Sequence, residues 1–512
     1  IEWASDPVMS AVTTAFNNDD PKPVDLPTGK DAKSAQAWAQ FIKKHGSDAD
    51  GGKNVKAGSV LDKIAAAVEK ANIPEGNNGW LNADNTGSFS NLATGYWLFV
   101  TKSVGENANA EKGNTDTFSS PIFAVVGGSA ENLTPKKQVP TVTKAVRDDK
   151  DGSTFGTDVF KNPNMAADSR MDQFIDYQLV GTVAGNINTY STYRYTFTDN
   201  LPKSMTPRLG ADGKTPVVTV KIGNTEVKTG YTAKYDNDTL TVDFLNLKNC
   251  MAEGETPISL DGNSKVTVEY QAKLDSSKVC NADGSLNSEF SSLLGTAQTN
   301  TVKLTYSNNP HGEGEGTTVD HPAYDYTYGI DVTKVGSDKD GDGNLKTLKD
   351  VEFTLQEVVD GNPENQFIDA QGVKHNEAKD ATLKTTDEGK INVVGLDEGT
   401  YILKEVTPAP GYNNSAANGV TFTIKSTFDQ AGKNVNLDTS TIDAGKDVVK
   451  GGTATAEAGK LSFTIVDKKG SNLPLTGLNG VTFTWIAGGA VLCIGVAHLI
   501  RSRKQAEESE QE

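Results

Sequence analysis

Between residues 140 and 470 the chain is a succession of short runs in which apolar and polar residues alternate, separated by stretches that contain Gly, Asn or Asp. Alternate residues of a strand share a face, so a period of two marks a strand with one buried side. Gly, Asn and Asp supply the turns between such strands. The runs Thr141–Val146, Phe174–Val180, Tyr193–Thr198, Val217–Ile222, Leu240–Phe244, Val266–Ala272 and Thr301–Tyr306 predict an all-β sandwich over residues 140–325. A smaller set, Gly329–Val335, Val351–Gln356, Lys390–Val394, Thr400–Val406, Val420–Ile424 and Leu461–Val466, predicts a second sandwich over 326–470. His311–Asp320 between them reads as a linker or turn.

Residues 1–139 differ. Trp38, Phe41 and Ile42 fall at helical spacing, as do Leu61, Ile64, Ala65 and Val68. Strand-like runs follow at Gly95–Val100 and Ile122–Val126, so this part is expected to be a mixed α+β domain. The 512 residues suit about three domains of the usual size, and 36% hydrophobic against 23% charged residues favours packed cores over disorder.

Lys and Arg number 49 against 67 Asp and Glu, a net charge of −18, which argues against a nucleic-acid partner and suits a surface-exposed protein. Five His and three Cys leave little for a His/Cys metal centre, and no phosphate loop or His-based catalytic constellation is present. Neither a cofactor nor a free enzymatic activity is expected.

The strand pattern also aims charges inward. Lys144 shares a face with Val142 and Val146, and Lys334 with Ile330 and Val332. Asp199 follows Tyr193, Tyr195 and Phe197, and Glu405 follows Tyr401 and Leu403. Asn300 precedes Val302, Leu304 and Tyr306, and Asp467 closes Leu461, Phe463 and Ile465. Each sandwich thus directs a lysine, an acid and an Asn or Asp toward its interior, where an unpaired charge is very costly. Desolvation lowers a lysine pKa and raises that of an acid. A neutral amine is a nucleophile and a protonated acid can shuttle protons, so an amide can form between lysine and Asn or Asp with loss of ammonia or water. Both charges then vanish and the first strand is tied to the last. Ordinary salt bridges or exposed strand edges are the alternative reading.

These triads resemble the internal isopeptide bonds of Gram-positive pilins and adhesins. Tyr401–Tyr412, YILKEVTPAPGY, resembles the pilin E box Y-x-L-x-E-x-x-A-P-x-G-Y, with an irregularity at Pro408. The resemblance implies Glu405 as catalytic acid, Lys334 as amine and Asp467 as acceptor, where most relatives carry Asn. It implies Lys144, Asp199 and Asn300 as the corresponding set in a larger sandwich of the collagen-adhesin A type, with the smaller one of the B type.

The C-terminal segment carries a second resemblance. Leu473-Pro474-Leu475-Thr476-Gly477 precedes Val481–Ile500, 20 residues without Asp, Glu, Lys or Arg, and then Arg501, Arg503 and Lys504. The apolar run is long enough to cross a bilayer as a helix, and the basic flank places the tail in the cytoplasm. Motif, span and tail over residues 471–512 are similar to the sorting signal of Gram-positive surface proteins, which implies cleavage by a sortase between Thr476 and Gly477.

Leu133-Thr134-Pro135-Lys136-Lys137-Gln138-Val139-Pro140 stands where backbone pilins present a linking lysine in a Tyr-Pro-Lys-Asn-like motif. The resemblance implies that a class C sortase passes the Thr476 carbonyl to Lys136 of another copy, with Lys137 as a second available amine, and that a housekeeping sortase attaches the polymer to peptidoglycan. The expected protein is the major subunit of a cell-wall-anchored pilus involved in adhesion, with accessory pilins and host surface ligands as further partners. A monomeric wall-anchored adhesin and an accessory base or tip pilin are the other readings.

Two lesser signals remain. Cys250 and Cys280 are expected to form a disulfide in an oxidising compartment, whereas Cys493 reads as apolar filling of the span. Asp338–Asn344 resembles the start of a calcium loop, but Lys349 stands where the last acidic ligand belongs, so the segment reads as a polar hairpin turn or a weak calcium site.

Overall fold

The computed structural model describes residues 1–49, 54–84, 87–106, 111–127, 132–133, 138–148, 165–310, 312–437, 442–443, 448–455 and 459–470. The fold is mainly β. The predicted linking lysine Lys136 with Lys137, the motif Leu473, Pro474, Leu475, Thr476 and Gly477, and the apolar run Val481–Ile500 with Cys493 lie outside the described residues. Among the described residues, no helix is long and apolar enough to cross a membrane.

The two helical patterns near the N-terminus form the helices Ala35–Lys44 and Val60–Lys70. Each begins at a serine: Ser34 Oγ accepts from the Ala37 N–H and Ser59 Oγ from the Asp62 N–H, satisfying donors that the first turn leaves open. A third helix, Asp6–Thr14, is not evident in the sequence. It is short and rich in Ser and Thr, and only Ala11 and Val12 are buried. It nevertheless closes the core formed by Phe16, Trp38, Phe41, Ile64, Val68 and Ile73. Strands Gly95–Phe99 and Ile122–Val126 pair antiparallel beside it.

The middle region is a sandwich of two sheets, and each predicted strand overlaps an observed one, with ends shifted by up to three residues. One sheet runs Val142–Arg147, Ile175–Thr182, Lys265–Leu274, Val218–Ile222 and Thr225–Glu226. The other runs Thr232–Asp236, Thr239–Phe244, Tyr195–Asn200, Gln298–Ser307, His321–Tyr326 and Ala166–Asp168. The inward faces meet in one core that includes Val142, Val146, Tyr177, Tyr195, Phe197, Val268, Val302 and Leu304. The segment expected as a linker or turn folds back as a turn, with Glu315–Thr317 pairing onto Thr305–Ser307.

The last region is a second sandwich with its own core. Its first strand, Tyr328–Lys339, pairs in parallel with its last, Lys460–Asp467. The facing sheet is built on Glu352–Val359, Gly399–Thr407 and Val420–Ile424. Asp338–Asn344 lies at the turn from Tyr328–Lys339 into Leu345–Thr347. There the Asp340 carboxylate accepts from the Asp342 and Asn344 N–H groups, and Asp338 accepts from the Tyr412 hydroxyl at 2.7 Å.

The expected Cys250–Cys280 disulfide is absent; both thiols are free. The reason is topological. Cys250 follows Leu247, whose N–H is bonded to Tyr193 O just before strand Tyr195–Asn200. Cys280 follows Lys278, which is bonded to Asp238, and Asp238 O accepts from the Leu201 N–H just after the same strand. The cysteines therefore sit at opposite ends of a six-residue strand, on the order of 20 Å apart, far beyond the roughly 7 Å a disulfide can bridge between Cα atoms.

Candidate functional site: two buried lysine clusters

All six inward-aimed polar residues lie in the cores, at 4% exposure or less. They form two clusters. In the middle sandwich, Lys144 projects from one sheet toward Asp199 and Asn300 on adjacent strands of the other. Val302 lies opposite Asp199, so Asn300 is its diagonal neighbour on the same face. Lys144 Nζ donates to Asp199 Oδ1 and to the Tyr270 hydroxyl at 3.1 Å. Tyr270 donates to Asp199 Oδ2 at 2.5 Å and accepts from Asn300 Nδ2 at 2.8 Å. The amine lies 5.2 and 5.5 Å from the ring centroids of Tyr177 and Tyr270, which stack on each other.

Burial dominates the electrostatics here. Loss of water pulls the Lys144 amine down to about 8, although the Asp199 charge pulls the other way. Loss of water likewise raises the Asp199 carboxyl, against the opposing pull of Lys144. Each shift favours the neutral form, so amine and acid approach one another in proton affinity.

In the last sandwich Lys334 and Asp467 lie on neighbouring parallel strands. Lys334 is in register with Ile465, two residues before Asp467. Lys334 Nζ is 2.6 Å from Asp467 Oδ1 and 2.9 Å from Glu405 Oε2, which reaches across from the facing sheet. Phe353 lies beneath the amine, its centroid 5.6 Å away. Burial raises the Glu405 carboxyl to about 7; Lys334 opposes the shift and Asp467 adds to it. The E-box segment shapes this end of the cluster. Tyr401 OH donates to Asp397 O at 2.8 Å, and the loop after Glu405 returns so that the Ser415 N–H donates to Asp467 Oδ1 at 3.2 Å.

Both clusters leave polar atoms unmatched. Asn300 Oδ1, Glu405 Oε1 and Asp467 Oδ2 are buried without a hydrogen-bond partner. Buried ion pairs rarely recover their desolvation cost even when fully bonded, so incomplete satisfaction makes these clusters poor as purely structural salt bridges. Condensation to an amide removes the charges at the source. Tyr270, Tyr177, Phe353 and Ser415 were not identified from sequence. The one available signal was alternation, which puts Tyr270 on the buried face with Val266, Val268 and Ala272.

A third polar cluster joins the two sandwiches. The parallel pairing of Ala166–Asp168 with Tyr324–Tyr326 spans the point where they meet. Asp168 accepts from Tyr328 OH at 2.9 Å and Ser426 Oγ at 2.6 Å. Burial raises its carboxyl well above the ordinary range, and nearby Asp397 and Asp148 add to this. A carboxyl raised in the folded state binds more protons there than when unfolded, so its contribution is present in acid and is lost as pH rises through the folded value. Asp168→Asn keeps an acceptor without the charge and is expected to flatten the fall in melting temperature between mildly acidic and alkaline pH. Calorimetry across that range checks it, and an unchanged slope would contradict it.

Comparison with known proteins places these sites in context. No curated protein matches the chain. Among solved structures, the T6 backbone pilin of Streptococcus pyogenes is similar with a TM-score of 0.45 at 14% identity, over 83% of this chain and 91% of that one. The full-length major pilin SpaD of Corynebacterium diphtheriae gives 0.42 at 17%, over 75% and 78%. A C-terminal fragment of the major pilin GBS80 of Streptococcus agalactiae gives 0.38 at 18%, over 58% and 93%. Residues 329–441, which hold Lys334 and Glu405, match the family model of the SpaA prealbumin-like fold domain.

Proposed function

We propose that the chain is the backbone subunit of a sortase-assembled, cell-wall-anchored pilus, whose two sandwiches are each locked by an internal Lys–Asn or Lys–Asp amide. The observation that carries this reading is the buried contact of Lys334 with both Glu405 and Asp467 in a domain matching the SpaA prealbumin-like model. In its neutral form Lys334 Nζ attacks Asp467 Cγ. Glu405 takes a proton from the amine and returns one to the departing hydroxyl, so lysine and acid become an amide plus water. Lys144 and Asn300 react likewise, with Asp199 as proton carrier and ammonia as product. Each event is a single turnover on the chain itself, so the protein is a building unit and a sortase substrate rather than an enzyme.

The amides fasten the first strand to the strand Gln298–Ser307 within 140–325 and the first strand to the last within 326–470, and tension applied along the chain then passes through covalent bonds. Residues 1–139 form the third, α+β unit, ending at the linking lysine. Sortase cleavage after Thr476, attack by Lys136 of another subunit and membrane retention of the precursor by Val481–Ile500 complete the assembly. A head-to-tail link of this kind does not close on itself and grows as a filament. Adhesion of the fibre to host surfaces or neighbouring cells is part of the same reading.

Co-expression with a class C sortase tests the polymer. Ladders resistant to boiling in detergent are expected from the parent chain and are expected to disappear with Lys136→Ala. Ladders that persist would move the link to Lys137 or another amine. No ladder from the parent would favour a monomeric wall-anchored adhesin.

A further inference from the structure

Forming an amide from Asn300, as from Asp467, requires a proton on the leaving group, and the two clusters are placed differently to deliver it. An amide nitrogen is a very poor leaving group unless protonated, so the proton carrier has to reach Nδ2 as well as the attacking amine. In the last sandwich Glu405 faces both Lys334 and Asp467. In the middle sandwich the hydrogen bonds of Asp199 go to Lys144 through Oδ1 and to Tyr270 through Oδ2. The Asn300 nitrogen is bonded to the Tyr270 hydroxyl instead. The phenol thus bridges carboxyl and leaving group.

We propose that Tyr270 is a catalytic residue of the Lys144–Asn300 reaction, relaying the proton from Asp199 to the departing nitrogen. The inference rests on the isopeptide reading above. In the reacting form Asp199 is protonated on Oδ2 and donates to the Tyr270 oxygen, whose own proton points to Nδ2; Lys144 Nζ attacks Asn300 Cγ and gives a proton to Asp199 Oδ1. Asp199 passes a proton from Oδ2 to the Tyr270 oxygen as the phenolic proton moves to Nδ2. The Cγ–Nδ2 bond breaks, ammonia leaves, and the Lys144–Asn300 amide remains. Aspartate and phenol end as they began, so no outside reagent is required. Burial and the nearby Asp199 charge hold the Tyr270 hydroxyl well above its usual proton affinity, which suits a group that exchanges a proton without persisting as phenolate. The ring is separately fixed by stacking on Tyr177 at 5.3 Å, so Tyr270→Phe removes the relay and retains the packing surface.

The test follows bond formation in the full chain. Newly made protein is pulse-labelled, boiled at intervals and digested with trypsin, and the branched Lys144–Asn300 peptide is measured. Tyr270→Phe is expected to slow its appearance by about 100-fold, the scale of a lost general acid–base group, while the Lys334–Asp467 peptide of the same molecules appears at the parent rate. Melting is compared for Asn300→Ala with and without Tyr270→Phe, which isolates any structural role in a chain unable to react. Equal melting supports the relay. An unchanged rate overturns it, as does a slowed rate accompanied by loosened packing in the Asn300→Ala background. A parent chain without any branched peptide overturns the isopeptide reading itself, a result distinct from either.

Discussion

Replacing Asn300 by Ala is expected to lower the melting temperature of the middle sandwich by about 10 to 20 °C. The proposed Lys144–Asn300 amide would close a loop of roughly 150 residues, and by the chain-entropy argument for disulfides such a closure stabilises by about 5 kcal/mol. Lys144 keeps its contact with Asp199 in the variant, so the domain still folds and the comparison is of linked and unlinked native states. Scanning calorimetry of the full chain reads the shift, and the transition of the last sandwich provides the internal reference. A change of only 2 or 3 °C, the scale of one lost hydrogen bond, would leave no room for a covalent closure.

Glu405→Gln is expected to abolish amide formation in the last sandwich on the timescale of expression. The substitution nearly preserves shape, but it removes a carboxyl held at about 7 that can both take and return a proton near neutral pH. Loss of such a group costs about 100-fold to 10,000-fold in rate. Lys334 stays 2.6 Å from Asp467, so proximity survives and the proton path alone is withdrawn. The variant is expected to be heavier than the parent by one retained water, beyond the substitution itself, and to migrate more slowly after boiling as its unfolded chain lacks the internal loop. A variant that still loses the water would show that Lys334 and Asp467 condense without Glu405.

The elements were legible in this sequence because alternation is a local signal. Tyr193, Tyr195, Phe197 and Asp199 declare a common face within seven residues, and all four are buried. The same signal flagged Lys144 and Lys334, since a lysine on an apolar face is conspicuous. Partnership across the core was less accessible. Tyr270 lies 126 residues from Lys144, and on its own strand it is an aromatic among valines, like any core residue. A period of two says which way a side chain points but not which distant strand it meets. The disulfide expectation failed for the same reason, since a shared sandwich does not bring Cys250 and Cys280 to the same end of it. The Asp6–Thr14 helix escaped because its apolar stripe is too short to establish a period, and contacts with Trp38 and Phe41 supply what propensity does not.

The two clusters also differ in a way that sequence alone suggests only chemically. The acceptor Asp467 adjoins its lysine within one sheet, whereas Asn300 faces Lys144 across the core. The first amide would reinforce the pairing of parallel neighbours inside one sheet; the second would staple two sheets together. Shear between sheets should therefore be resisted chiefly by the middle sandwich.

Peptide mapping of boiled, trypsin-digested protein tests the central claim most directly. Branched peptides are expected to join Lys144 to Asn300 with the mass of one ammonia missing, and Lys334 to Asp467 with one water missing. Recovery of both lysines in linear peptides with free side chains would contradict it.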